Sequence, residues 1–120
     1  MKILAIIAFT FLLPPLSSFA QEFQPRGQEE FQTGVDGLVI KKLTCGVTGS
    51  YEGTVSNRTD SKITGSLYLY SYDKAGDGIG QCHNKVSLDP KRGTGVRWLS
   101  CNCRGYTHVE IVVKYLRIGD

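Results

Sequence analysis

The chain has 120 residues, with 14 Lys+Arg against 11 Asp+Glu and a formal net charge of +3. That length holds one domain with one modest core. It contains no run of five or more basic residues of the kind that marks a nucleic-acid tail.

Residues 1–20 are expected to be a signal peptide. Lys2 gives a short basic start, "ILAIIAFTFLL" is the apolar centre, and Ser18 and Ala20 end it on small residues. The apolar run is too short to cross a bilayer, which takes about 20 residues. No later segment is long and apolar enough either, so no transmembrane segment is expected. The mature chain is expected to be secreted and extracellular. Residues 21–37, with "QEFQPRGQEEFQTG" at their head, are polar and aperiodic. They are expected to form a flexible leader, with Phe23 and Phe31 available to dock on the body. The leader is acidic and the rest of the chain basic.

From residue 38 to 120 the pattern is β throughout. "GLVIKKLTC" and "SYEGTVS" read as strands rich in branched residues, and "NRTDS" as a turn. "KITGSLYLYSY" is a third strand, followed by the glycine-rich loop "DKAGDGIG". "KVSL" is a short strand and "DPKRGTG" a turn. "GVRWLSCNC" and "THVEIVVKYLRI" are the last strands. Spacing of about 8–12 residues between turn signals indicates an all-β antiparallel sandwich of about seven strands, immunoglobulin-like in architecture.

Cys45, Cys82, Cys101 and Cys103 are expected to form two disulfides in an oxidising compartment. Cys101 and Cys103 point to the same face of a strand. Bridging each other would strain the backbone, so each is expected to pair with Cys45 or Cys82. A zinc site from Cys82, His83, Cys101 and Cys103 lacks the usual C-x₂₋₄-C arm, and neither a metal nor a cofactor is expected. Asp73 and Asp77 lack the EF-hand pattern and read as a glycine-rich turn. Asn57-Arg58-Thr59 is a sequon in a predicted turn, and Asn57 is a candidate glycan acceptor.

Tyr68, Tyr70 and Tyr72 occupy alternate positions of one strand, so they share a face. Leu67 and Leu69 make the opposite face more apolar. The tyrosines are therefore expected outside, half-packed, as the candidate binding patch. The alternative chemistry is that of a small secreted ribonuclease-like hydrolase. His108 and Glu110 share a strand face and would transfer protons, while Arg97 and Arg104 would hold phosphate. No G-x-S-x-G elbow is present.

Three blocks resemble the secreted transthyretin-like family of nematodes. They are Leu43-Thr44-Cys45 closing the first strand, "LYLYSYDK" at 67–74, and "WLSCNCRGYTHVEIVVKYL" near the end. The chain departs from that family where Gly46 and Val47 replace its Lys-Pro, where Leu99 replaces its His, and in the extra Cys82. The resemblance implies a seven-stranded β-sandwich, secretion, no catalytic site and a role as an extracellular binder or bridge. The expected partner is an extracellular protein or an anionic surface. Nucleic acid is not expected.

Overall fold

A computed structural model describes residues 21–22 and 30–119; the expected signal peptide lies outside the described residues. The strands are β1 (Gln21–Glu22), β2 (Glu30–Gln32), β3 (Leu38–Cys45), β4 (Ser50–Asn57), β5 (Ile63–Tyr72), β6 (Gly78–Leu88), β7 (Gly93–Asn102) and β8 (His108–Ile118). No helix occurs among the described residues. Two antiparallel four-stranded sheets form, in the orders β1-β8-β5-β6 and β2-β3-β4-β7. Six strands are long and two are short, so the count exceeds the seven expected from turn spacing.

Each sheet turns most of its apolar side chains inward, while Leu99 of β7 and Leu116 and Ile118 of β8 are exposed. One sheet contributes Leu38, Ile40, Leu43, Tyr51, Val55 and Trp98 to a common core, and the other Ile63, Leu67, Leu69, Val109 and Ile111. Strict alternation along β3 would send Lys42 inward after Leu38 and Ile40. A bulge between Lys41 and Thr44, with Lys42 at φ 55°, turns the lysine out and returns Leu43 to the core.

Two parts of the sequence reading are corrected. The leader expected over residues 21–37 is not all outside the fold. Phe31 of β2 is fully buried, and the buried Thr33 donates its hydroxyl to the Leu38 carbonyl at 2.7 Å. One apolar residue in a polar stretch creates no period, so this strand has no sequence signal. β6 is also longer than "KVSL". It starts inside the expected glycine loop and includes "GQCHN", whose small and polar residues mask the alternation. Cys82, Val86 and Leu88 nonetheless face in, while Gln81, His83 and Lys85 are exposed.

The two sheets are joined by polar and covalent links. Trp98 donates its indole N–H to the Leu67 carbonyl across the core at 3.2 Å. Cys82 of β6 bonds Cys101 of β7, one from each sheet. Cys45 bonds Cys103, tying the end of β3 to the residue after β7. Both pairings follow the rule that Cys101 and Cys103 each take a distant partner.

Tyr51 and Ser71, both fully buried, share a hydrogen bond of 2.9 Å between the sheets. Burial pushes the Tyr51 phenol up to about 12. The folded state therefore keeps its proton above pH 10, where the unfolded tyrosine loses it. Between roughly pH 10 and 12 the unfolded chain binds fewer protons, so stability falls as pH rises, by about 3 kcal/mol from this group. Urea titrations across that range should show the fall, and Tyr51→Phe should lack the Tyr51 share. An undiminished alkaline slope in Tyr51→Phe would contradict this assignment.

Candidate functional site

Directly paired residues on neighbouring strands share a face, so the registers of β5 with β6 and β8 define rows across the outer face of its sheet. Tyr68 lies between Val112 and His83, Tyr70 between Glu110 and Gln81, and Tyr72 opposite His108. The next two rows are Lys114–Ser66–Lys85 and Arg117–Thr64–Ser87. All three tyrosines are half-buried, while Leu69 and Ser71 between them, and Leu67 before them, are buried. The outward orientation expected from the leucines is the observed one.

The tyrosines do not lie as an open platform. The His83 ring stacks on Tyr68 at 4.8 Å between centroids and 18° between planes. From the β8 side, the Lys114 ammonium sits over the Tyr68 ring, 4.3 Å from its centroid. Tyr68 and Tyr70 stack at 6.5 Å. The Tyr68 ring is thus contacted by both an imidazole and a cation. A hydrogen bond to the Tyr70 hydroxyl holds the Lys114 ammonium above the ordinary lysine value, outweighing its desolvation. Tyr72 donates to Glu110 Oε1 at 3.0 Å. Its phenol is pushed up to about 12, by desolvation first and the Glu110 carboxylate second.

His83, Lys85 and Lys114 are the members of this face that sequence reasoning missed. His83 and Lys85 alternate on β6 as the tyrosines do on β5, which is a signal for one face. Nothing in the sequence shows which face of β5 they meet, because that depends on register.

The hydrolase set is not assembled. His108 and Glu110 do share the outer face of the β5 sheet, and His108 Nδ1 lies 2.9 Å from the Thr107 hydroxyl. Arg97 belongs to β7 in the other sheet, next to the inward Trp98, and pairs with Glu52 at 3.6 Å. Arg104 donates to the Val47 carbonyl at 2.9 Å. The two arginines proposed as a phosphate clamp are therefore committed elsewhere. An i, i+2 or near-sequence relation cannot reveal that β7 and β8 belong to different sheets.

Asn57 is corrected as a glycan site. It is 1% exposed. Its amide nitrogen donates to the carbonyls of Ser61, Leu88 and Asp89 at 2.8, 3.2 and 3.2 Å. Its oxygen accepts from the Thr59 backbone N–H and hydroxyl. The nitrogen that would carry a sugar is therefore consumed inside the fold, and Thr59 closes the turn. Asn57→Ala should cost about 2–3 kcal/mol, since it strands buried carbonyls. A change under half a kilocalorie per mole in denaturant unfolding would show that these bonds are dispensable.

The Asp73 carboxylate accepts backbone N–H bonds from Ala75 and Asp77 at 2.9 and 3.0 Å. These bonds account for its place in the β5–β6 turn. No cluster of three or more metal-ligating side chains occurs among the described residues.

The fold and face define a disulfide-stapled, two-sheet all-β protein that presents tyrosine, histidine and lysine side chains outward from one sheet. Comparison with protein-family models, with curated proteins and with solved structures finds no match.

Proposed function

We propose that this is a secreted, extracellular, non-catalytic binding or bridging protein, and that the tyrosine face of the β5 sheet is its recognition surface. One observation carries the reading: the half-exposed Lys114–Tyr68–His83 stack, with Tyr70 beside it. Aromatic anchors held in one orientation lose little rotamer freedom on binding, which favours affinity. Two disulfides support an oxidising, extracellular setting. Membership of the nematode transthyretin-like family is part of the proposal. It is supported by Leu43-Thr44-Cys45 closing β3, Leu69-Tyr70 within β5 and Cys101-Asn102 ending β7.

The test is retention of the labelled protein on intact cell surfaces, for wild type, Tyr68→Ala and Tyr70→Ala. Both variants should lose most of the retained signal while keeping the wild-type circular dichroism spectrum. Equal retention by all three would remove the face from function. Incubation with RNA should give no cleavage. Cleavage that disappears in His108→Ala would overturn the non-catalytic reading.

A further inference from the structure

Beside Tyr68 the outer face is recessed. A surface groove of about 570 Å³ runs over β5 and β6 and is bounded by Tyr115 of β8. Its lining has five hydroxyl groups, from Thr64, Ser66, Tyr68, Ser87 and Tyr115, together with Lys85 and His83. No carboxylate lines it. The register adds Lys114 and Arg117 on the β8 side, in the rows of Ser66 and Thr64. Lys85 and Lys114 thus flank Ser66 from both neighbouring strands, their backbones about 10 Å apart at the usual strand spacing. Glu110 lies two rows from Ser66 and is bonded to Tyr72. Asp89 follows β6 at the far end.

The backbone beside the groove is irregular. The register of β5 and β8 shifts between Thr64 and Ser66, and Tyr115 sits at φ 57°, a conformation unusual for an aromatic residue. The bulge brings Tyr115 to the groove and leaves it 77% exposed. Gly65 permits the close approach of β8, since a Cβ there would lie 3.0 Å from Val113 Cγ1 and 3.3 Å from the Lys114 carbonyl. A backbone strained at an exposed aromatic side chain is a feature found at ligand sites.

We propose that this groove binds a sulfated polysaccharide, with sulfate groups held by Lys85 and Arg117 and sugar hydroxyls by Ser66, Tyr68 and Ser87. Charge complementarity carries the anionic part: Lys85 lines the groove, Arg117 lies in the row of Thr64, and no carboxylate lines it. The five hydroxyl groups of the lining beside Lys85 favour a chain of hydroxyl-bearing sugars over a lipid headgroup. The inference rests on the binding role of this face and adds its ligand class.

The experiment measures binding of the full chain to a heparin hexasaccharide, to the same hexasaccharide stripped of sulfate, and to phosphatidylserine vesicles. Lys85→Glu and Arg117→Glu alter exposed side chains, and Lys41→Glu on the opposite sheet is the control. The sulfated sugar should bind, weaken with salt, and lose affinity about tenfold in Lys85→Glu and Arg117→Glu but not in Lys41→Glu. The stripped sugar should not bind. The proposal fails if the hexasaccharide does not bind, if sulfate is dispensable, or if the control loses as much affinity. Vesicle binding that needs Lys85, without hexasaccharide binding, overturns it in favour of a lipid surface. If the hexasaccharide fails while Tyr68→Ala still abolishes cell-surface retention, the ligand class is wrong and the recognition face stands.

Discussion

Replacing Cys45 and Cys103 together by serine will lower the unfolding free energy by about 4 kcal/mol. These cysteines are 58 residues apart in the chain, so the bridge removes a long loop's worth of disorder from the unfolded state. The Cys82–Cys101 bridge spans 19 residues, and its removal should cost about 3 kcal/mol on the same reasoning. A domain of this size has about 5–15 kcal/mol in total. Either loss is then a large share of the stability, and reduction of both, about 7 kcal/mol together, should lower the urea midpoint steeply. Urea unfolding, followed by the single tryptophan's fluorescence, measures each double variant. If Cys82/Cys101 removal proves the costlier, loop length is not the governing quantity. The covalent link between the two sheets would then have to be credited instead.

Trp98→Ala should destabilise by about 3–5 kcal/mol, in the range for a buried aromatic truncated in a packed core. Trp98 is 1% exposed and is the largest side chain between the sheets. Two terms add. The apolar contacts of the indole are lost and a cavity remains, and the Leu67 carbonyl loses the indole donor. Trp98→Phe separates them, since it retains most of the ring volume but not the N–H. It should cost about 1–2 kcal/mol more than a volume-conserving swap alone would. Circular dichroism during denaturation is the suitable readout, because the fluorophore itself is removed. If Phe and Ala cost the same, the hydrogen bond dominates and the packing account is wrong. Because Leu67 immediately precedes Tyr68 in β5, Trp98→Ala should also weaken the support beneath the tyrosine face. Cell-surface retention near the midpoint of its unfolding should then fall in step with the folded fraction.

The candidate site was legible only in part. The alternation in "SLYLYSY" identified Tyr68, Tyr70 and Tyr72 as one face, and the intervening leucines identified it as the outer one. That inference needs only the two-residue period of a strand and the preference of leucine for burial. What packs on those tyrosines was not legible. His83 and Lys114 are 15 and 46 positions from Tyr68 along the chain, and their contacts with it follow from the register of three strands. The same dependence undid the hydrolase set. Arg97 and His108 are 11 residues apart yet belong to different sheets. Asn57 looked like a surface acceptor because its triplet is a local pattern, whereas its burial comes from carbonyls up to 32 residues away.

The sequence by itself determined the all-β character, the long strands other than the first half of β6, and the distant partners of Cys101 and Cys103. These follow from local physics: side-chain alternation, turn formers and the geometry of residues two apart. The tertiary structure decided the strand order, the burial of Phe31, the bulges at Lys42 and Tyr115, and the groove beside Tyr68. Each depends on pairing between segments distant in the chain. A strand's alternation says which side chains share a face but not which neighbour that face meets.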